Sequence, residues 1–576
     1  MQICTESASK YEQNFDIKNV LCLGAGYVGV LTMTVFAHYH MDIKFSIYDK
    51  SKNVLDKWNI AGKNLNNNNC FDEENTEIKT TTLPILENKF EKIFKNVFDN
   101  NLFFKEDLQE EVWNSEVIFI CVNTPSTIHT KIRTNLSIEE IEKEISQGIE
   151  LNMNYVYSCV DEICQIILNS NDIKTIFKPR IIVQKSTVTL ETLSTLHRRI
   201  RNFFLNNKEQ FNKIISSNIG DKSEDMIMKW NTPDDINEYV NKTFRLVNIP
   251  EFLAEGSAMN NLINPDRVII GYLKSDNNNI SLANVNSINF NSQNYSRAAA
   301  GIMKSFYQKW IDTERIVDID SNSSEMIKLV SNAFLAQRIS SINSLSQLCE
   351  ISKGNINNLS EAVGMDKRIG RNYLKASMGF GGSCLKKDVL SLIFILSQKS
   401  LHIEAKYWMQ VLIMNEYQRM RIAELIKASV SSTSNVSIFG LSFKGDVKDV
   451  RQSNAVFLIS YLIENGINVH VYDELVEEND LLNELKLYAA ISDDVEALKD
   501  IPNIKMFQDH LKCIKDSQSL ILCSNHSYLK HLNIDEISSR MNENCSIFDL
   551  YDIFPIEELQ KTKFKIFKLG EFNSIS

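Results

Sequence analysis

The sequence predicts an α/β fold made of two parallel-sheet domains joined by a long central helix and a helical middle region. Three observations carry this reading. Short apolar runs recur between helical stretches in the first part of the chain, the pattern of a parallel sheet buried on both faces. Neither proline nor glycine interrupts Ser321 to Ile351, so one long helix is expected there. A second series of apolar runs begins near Asn435.

The elements follow in order. "NVLCLG" (Asn19 to Gly24) reads as the first strand and "FSIYD" (Phe45 to Asp49) as the second. "EVIFICVNTP" (Glu116 to Pro125) and "RIIVQKST" (Arg180 to Thr187) continue the series at α/β spacing, and "NPDRVIIG" (Asn264 to Gly271) reads as a turn feeding a buried strand. The second series comprises "NVSIFGLSFK", "INVHVYD", "SLILCSN" and "CSIFDLYD". Three polar stretches, 62–82, about 206–239 and 274–294, carry asparagine runs. Such runs bury little and form helix and strand poorly, so surface loops or local disorder are expected.

Bulk properties narrow the class. A chain of 576 residues is too long for one core and implies roughly three or four domains. With 43% hydrophobic and 23% charged residues it reads as globular. No apolar run reaches the roughly 18 residues of a membrane-spanning helix, and the first residues lack a signal-peptide pattern. A net charge of −11 argues against a nucleic-acid-binding face. Eleven dispersed cysteines without a C-x-x-C pair fit a reducing compartment, so a cytoplasmic protein is expected.

"GAGYVG" follows the first strand and opens a helix, the arrangement of a dinucleotide-binding turn. Gly24 permits the tight turn, Gly26 lets a pyrophosphate approach the backbone, and Gly29 allows close packing of helix on strand. The helix N-terminus supplies amides for the anion. Asp49 ends the second strand twenty residues after Gly29, where a carboxylate takes a ribose 2′-hydroxyl and repels a 2′-phosphate. NAD is therefore expected over NADP. "FGLSFKGD" in the second series lacks this fingerprint, so that lobe is expected to bind something other than a second dinucleotide.

Three constellations offer chemistry, each with two readings open. "MGFGGSCLKKD" (Met378 to Asp388) is either a glycine-rich turn with an incidental buried thiol or a ligand cradle. In the second case Lys386 and Lys387 favour the nucleophilic thiolate of Cys384. Lys328 and Asn332 fall four apart on one helical face. They either stabilise a developing alkoxide or are a surface lysine above an asparagine. Glu251 and Glu255, also at helical spacing, serve acid–base or ribose contacts, or are two solvated charges.

Taken together, "GAGYVG", "VNTP", "KSTV", "PEFLAEG", "NPDRV", "SSEMIKLVSNAFLAQRISSINS", "GMDKRIG", "LKASMGFGGSCLKKD" and "FKGDVKDVRQS" resemble the UDP-glucose/GDP-mannose dehydrogenase family. The likeness runs from about Lys18 to about Phe554, broken by the three polar insertions. It implies an NAD-binding Rossmann-like domain (17–313), a central helical dimerisation domain (314–430) and a UDP-binding Rossmann-like domain (431–576). It also implies a four-electron, NAD-dependent oxidation of UDP-glucose to UDP-glucuronate. A homo-oligomer is implied as well, at least a dimer and a hexamer among animal-type members.

Residue by residue, the resemblance puts the nucleophile on Cys384 and the catalytic lysine and asparagine on Lys328 and Asn332. Asp388 and Glu251 become the catalytic carboxylates, and Thr187 lies near the reacting carbon. For NAD it implies Gly24, Ala25, Gly26, Tyr27, Val28 and Gly29, then Asp49 and the loop Val122, Asn123, Thr124, Pro125 and Ser126. Ser186, Thr187, Val188, Glu255, Cys384, Lys387 and Arg451 complete the cofactor contacts. For the UDP-sugar it implies Glu251, Phe252, Leu253, Ala254, Lys328, Asn332, Lys375, Gly379, Phe380 and Gly381, with Phe443 and Lys444. Arg368 is implied to reach a neighbouring subunit's site.

Four positions depart from the family pattern. Asp552 stands where the resemblance puts a substrate-contacting arginine, Ile249 where asparagine is common, Gln184 where glutamate is common, and Val54 where an arginine approaches the adenosine. Rival functions are a sister enzyme acting on GDP-mannose or a UDP-N-acetylhexosamine, a two-electron dehydrogenase, and a nucleotide-sugar sensor or scaffold without catalysis.

Overall fold

The structure, a computed structural model, describes residues 15–67, 83–125, 138–146, 148–170, 172–219, 232–273, 290–431, 434–488 and 503–571. The chain divides into two compact units, Met1–Pro125 with Leu151–Lys328, and Ser126–Glu150 with Leu329–Ser576.

Among the described residues the first unit is built on eight strands. They are β1 (Asn19–Leu23), β2 (Lys44–Tyr48), β3 (Leu102–Phe104), β4 (Val117–Ile120), β5 (Arg180–Gln184), β6 (Phe244–Asn248), β7 (Val268–Tyr272) and β8 (Ile316–Asp320). Their order in the sheet is β3-β2-β1-β4-β5-β6-β7-β8. Alternation along β1 shows why the sheet is covered twice. Val20 and Cys22 enter one apolar core, while Leu21 and Leu23 enter the other. Among the described residues every pairing is parallel, as expected, except β6 with β7, which is antiparallel. Four adjacent parallel strands, β1, β4, β5 and β6, deliver Gly24, Cys121, Lys185 and Ile249 to one edge. That edge, at the reversal of strand order beside β1, is where doubly wound sheets bind ligands.

The second unit carries β9 (Asn435–Phe439), β10 (Asn468–Tyr472), β11 (Ile504–Phe507), β12 (Ser517–Leu522), β13 (Ser546–Asp549) and β14 (Lys565–Lys568). Its sheet, ordered β11-β10-β9-β12-β13-β14, is parallel throughout. Ile438, Ile521 and Phe548 face one core, and Phe439, Leu520 and Ile547 the other. The helices Leu385–Gln398 and His402–Ser429 add a separate apolar cluster, which Ile145 and Ile149 join.

One helix runs the 32 residues from Ser321 to Ser352, as the absence of breakers implied. The polar stretches are not all loops. Residues 68–82, 220–231 and 274–289 lie outside the described residues, but helices reach into each stretch from its described flank. Lys208–Ile219 buries Phe211 and Ile215 one turn apart, and Pro233–Thr243 buries Ile236, Tyr239 and Val240. Thr232 and Asp235 close a reciprocal capping box at the start of the second of these helices, with Pro233 in its first turn. Apolar residues at helical spacing outweighed asparagine content there.

Candidate active site

The glycine turn uses its three glycines for different reasons. A Cβ on Gly24 would sit 2.5 Å from the Cys121 carbonyl oxygen, and one on Gly29 would sit 2.2 Å from the Gly24 oxygen. A Cβ on Gly26 would meet nothing within 4 Å. The protein's own packing demands the first and last, whereas the space at Gly26 is open to an approaching group. Behind it the helix Tyr27–Tyr39 begins without a side-chain cap, which leaves its first N–H groups directed at that space. Asp49 accepts the Ala25 N–H at 3.0 Å and the Ser51 N–H at 2.9 Å, so its carboxylate is fixed beside the turn. The Val122–Pro125 loop follows β4, and the Ser186 hydroxyl donates to the Val122 carbonyl at 2.6 Å. Ser126 lies outside the described residues.

Next along the same edge, one cleft of the first unit brings together Ser186, Thr187, Glu251 and Lys328 from the expected set. Val188, also on its wall, is almost wholly buried. Lys328 Nζ donates to Glu251 Oε1 at 2.6 Å, and Glu251 Oε2 accepts the Leu253 N–H at 2.7 Å. Burial alone would raise the Glu251 carboxyl, but Lys328, the Leu253 N–H and Lys185 outweigh it and hold the group below the usual range. Glu251 and Glu255 do not share a helix, contrary to expectation. Pro250 to Ala254 is irregular, and the next helix begins only at Ala258. Proline at 250 and Gly256 at φ +79° explain the break. Phe252 lies under the Arg267 guanidinium at 4.4 Å, and the Ala254 N–H is held by Asn261 at 3.1 Å.

Sequence reasoning passed over two residues on that cleft. Lys185 is buried, and burial pushes its ammonium down from the ordinary value. Glu325, one turn before Lys328, accepts the Leu193 N–H at 2.7 Å, and burial pushes its carboxyl up to about 7. The available signals were a lysine closing an apolar strand and a glutamate three places from Lys328. Lys185 and Lys328 face Glu251, which is ionised, and Glu325, which burial leaves partly protonated near neutrality, so the cleft favours developing negative charge.

In the second unit, Asn332 Nδ2 donates to Asp388 Oδ2 at 2.6 Å, and Asp388 is almost wholly buried. Cys384 is the N-cap of the helix Leu385–Gln398 and is exposed. Lys386 is turned away from the role expected of it. It lies 3.1 Å from Glu416, which Arg419 also meets at 3.3 Å, so its charge is committed to a buried cluster. The glycines before Cys384 serve packing more than ligand approach. A Cβ on Gly379 would fall 2.8 Å from Asn415, on Gly381 2.6 Å from the Gln452 oxygen, and on Gly382 2.8 Å from the Phe443 ring. Asn415 ties down the Phe380 backbone through both its N–H and its carbonyl.

The remaining residues of the set are spread along the second unit. Phe443 and Lys444 follow β9, with Lys444 exposed. Arg451 pairs with Asp449 at 2.6 Å, and Arg368 with Asp366 at 2.6 Å, the latter arginine 89% exposed. Lys375 is exposed and Lys387 half-buried. Asp552 is bound to Lys568 and accepts from Asn357 at 3.3 Å, which accounts for a carboxylate at that position. Ile249 and Val54 pack in or against the first unit's core, and Gln184 donates to the Ser186 carbonyl at 3.1 Å.

Open space at Gly26 beside a fixed Asp49 meets the needs of a pyrophosphate and an unphosphorylated ribose. That defines the first unit as an NAD-binding domain. Comparison with known proteins narrows the class. Models of the UDP-glucose/GDP-mannose dehydrogenase family match its NAD binding domain at 69–285, its central domain at 322–417 and its UDP binding domain at 437–555. The UDP-glucose 6-dehydrogenase of Pongo abelii is 30% identical over 562 residues, covering 97% of this chain and 94% of that protein. That of Caenorhabditis elegans is 30% identical over 96% of this chain and 95% of its own. The chain belongs to the UDP-glucose/GDP-mannose dehydrogenase family. A solved UDP-glucose dehydrogenase from Pyrobaculum islandicum shares the fold at a TM-score of 0.67 and 20% identity, covering 97% of this chain and 99% of that one.

Proposed function

We propose that the chain oxidises the C6 alcohol of UDP-glucose to the carboxylate of UDP-glucuronate, consuming two NAD and one water, and so supplies glucuronate for polysaccharide and glycan synthesis. The carrying observation is that Cys384, alone among the described cysteines, is exposed, and that it stands at the N-terminal end of a helix. A thiol used for packing is buried like the others. Relatives named as UDP-glucose 6-dehydrogenases over nearly the whole chain support the choice of sugar.

NAD, when bound, supplies the hydride acceptor. The Gly24–Gly29 turn, Asp49, the Val122–Ser126 loop and Glu255 hold it, with Ser186, Val188, Lys387 and Arg451. The sugar nucleotide is held by Phe252 to Ala254, Lys375, Gly379 to Gly381, Phe443 and Lys444, and by Arg368 of a second copy. In the first oxidation the C6 alcohol loses a hydride and a proton, and the Cys384 thiolate adds to the aldehyde carbon. Lys328 and Asn332 stabilise the oxyanion of the thiohemiacetal so formed. Loss of a second hydride from that carbon leaves a thioester on Cys384. Glu251, kept ionised beside Lys328, takes a proton from the attacking water, with Asp388 assisting, and the carboxylate leaves as the thiol is restored. Thr187 borders the reacting carbon. The tether keeps the half-oxidised sugar bound while coenzyme is exchanged.

The working domains are 17–313 for NAD, 314–430 for dimerisation and 431–576 for UDP. Leu345, Leu348 and Ile351 on the long helix and Ile403 and Tyr407 on the helix His402–Ser429 are large apolar side chains left exposed, which favours a homo-oligomer. No described helix is long and apolar enough to cross a membrane; a cytoplasmic location is part of the proposal. NADH released per sugar tests the whole reading. Two per UDP-glucose supports it, one indicates a two-electron enzyme, and none indicates a binding protein.

A further inference from the structure

Glu87 lies outside every motif that carries the family resemblance, yet its carboxylate joins three separate segments. Oε1 accepts the Tyr27 hydroxyl and the Gly256 N–H, and Oε2 accepts the Ala258 N–H at 3.0 Å. In sequence Glu87 is 60 positions from Tyr27 and 169 from Gly256, so no local turn requires these bonds. Tyr27 is the first residue of the helix that opens behind Gly26. Gly256 follows Glu255 directly. Burial, and then the bond to Glu87, push the Tyr27 phenol upward, so it remains a donor at neutral pH.

We propose that Glu87 is a positioning residue for the cofactor: one carboxylate clamps the helix start at Tyr27 to the Gly256–Ala258 backbone and so fixes Glu255 beside the dinucleotide turn. This rests on the proposed function, in which Glu255 contacts NAD. A carboxylate suits the role because both oxygens must accept. In a glutamine one of the two becomes an NH₂ group facing a backbone N–H. An alanine leaves the Gly256 and Ala258 amides without this acceptor and the Glu255 segment free to shift.

The test is NAD affinity and steady-state kinetics of the full chain for wild type, Glu87→Gln, Glu87→Ala, Tyr27→Phe and the Tyr27→Phe/Glu87→Ala double variant. Loss of a charged acceptor is expected to weaken NAD binding about tenfold or more in Glu87→Ala, and less in Glu87→Gln. At saturating NAD, kcat is expected to stay within about threefold of wild type, since the loss lies in binding and not in the chemical step. Tyr27→Phe is expected to weaken NAD by a smaller factor, and the double variant to bind no worse than Glu87→Ala alone, because both act through one clamp. Unchanged NAD affinity in Glu87→Ala overturns the proposal, as does a drop in kcat and melting temperature with the KM for NAD unmoved. If Glu87→Ala does not fold, Glu87→Gln and Tyr27→Phe decide the question: unchanged NAD affinity in both overturns the clamp. Failure of the wild-type chain itself to bind NAD refutes the cofactor reading instead.

Discussion

Lys328 Nζ donates to Glu251 Oε1 across 2.6 Å although 77 positions separate the two residues. Both side chains are nearly withdrawn from water, at 8% and 13% exposure. Removing either leaves a buried charge short of a partner. Lys328→Met should lower the unfolding free energy by about 3–5 kcal/mol. Glu251→Gln should slow turnover about 10²- to 10⁴-fold, as loss of a general base does.

The same pair predicts a pH dependence. The folded Glu251 carboxyl titrates below its ordinary value of 4.5, so its contribution to stability is complete above that pH and is lost as pH falls through the folded value. Urea unfolding of wild type and Glu251→Gln should show the wild-type advantage shrinking as pH drops from neutrality to below 4.5. An advantage independent of pH refutes the pairing.

Glu325 carries the opposite sign. Its carboxyl titrates at about 7 in the folded protein, against an ordinary 4.5. The stability it contributes is full below the ordinary value and is lost as pH rises through 7. Glu325→Gln removes that loss, so its stability relative to wild type should improve by about 1–3 kcal/mol between acid and mildly alkaline pH. Parallel stability curves for the two proteins over that range contradict the assignment.

Gly26 and Gly29 should part company under the same substitution. Gly29→Ala forces a methyl group to 2.2 Å from a carbonyl oxygen, so the fold should lose about 2 kcal/mol or more. Gly26→Ala meets no protein atom and should leave the melting temperature within about 2 °C of wild type. It should nonetheless weaken NAD binding about tenfold or more, by filling the space the pyrophosphate needs. Equal NAD affinity in Gly26→Ala and wild type removes the cofactor from that turn.

Cys384 is the described cysteine that a small alkylating reagent should reach first, because the others are buried. Peptide mass mapping after brief iodoacetamide treatment checks this. Cys384→Ser should bind UDP-glucose yet lose turnover about 10³-fold or more. Full steady-state activity in that variant would falsify the tethering step.

Local sequence made much of this legible. The glycine turn, the strand-end Asp49, the unbroken Ser321–Ser352 helix and most of the central strands follow from spacing and residue type. Edge strands β3, β8, β11 and β14 were not foreseen, since they are short or partly exposed and lack a sustained apolar run. The helices Lys208–Ile219 and Pro233–Thr243 were hidden in polar composition, where a few buried residues at helical spacing decide the matter.

By itself the sequence determined that the chain folds as two α/β units and that a dinucleotide turn opens the first, because strand periodicity and glycine spacing act within a few residues. Only the tertiary structure decided which charges are spent. Lys386 belongs to Glu416 and not to Cys384, Asp552 belongs to Lys568, and Glu251 stays ionised because Lys328 reaches it from 77 residues away. Such pairings follow from where distant segments meet in a medium of low dielectric, and that meeting is set by the packing of the whole sheet.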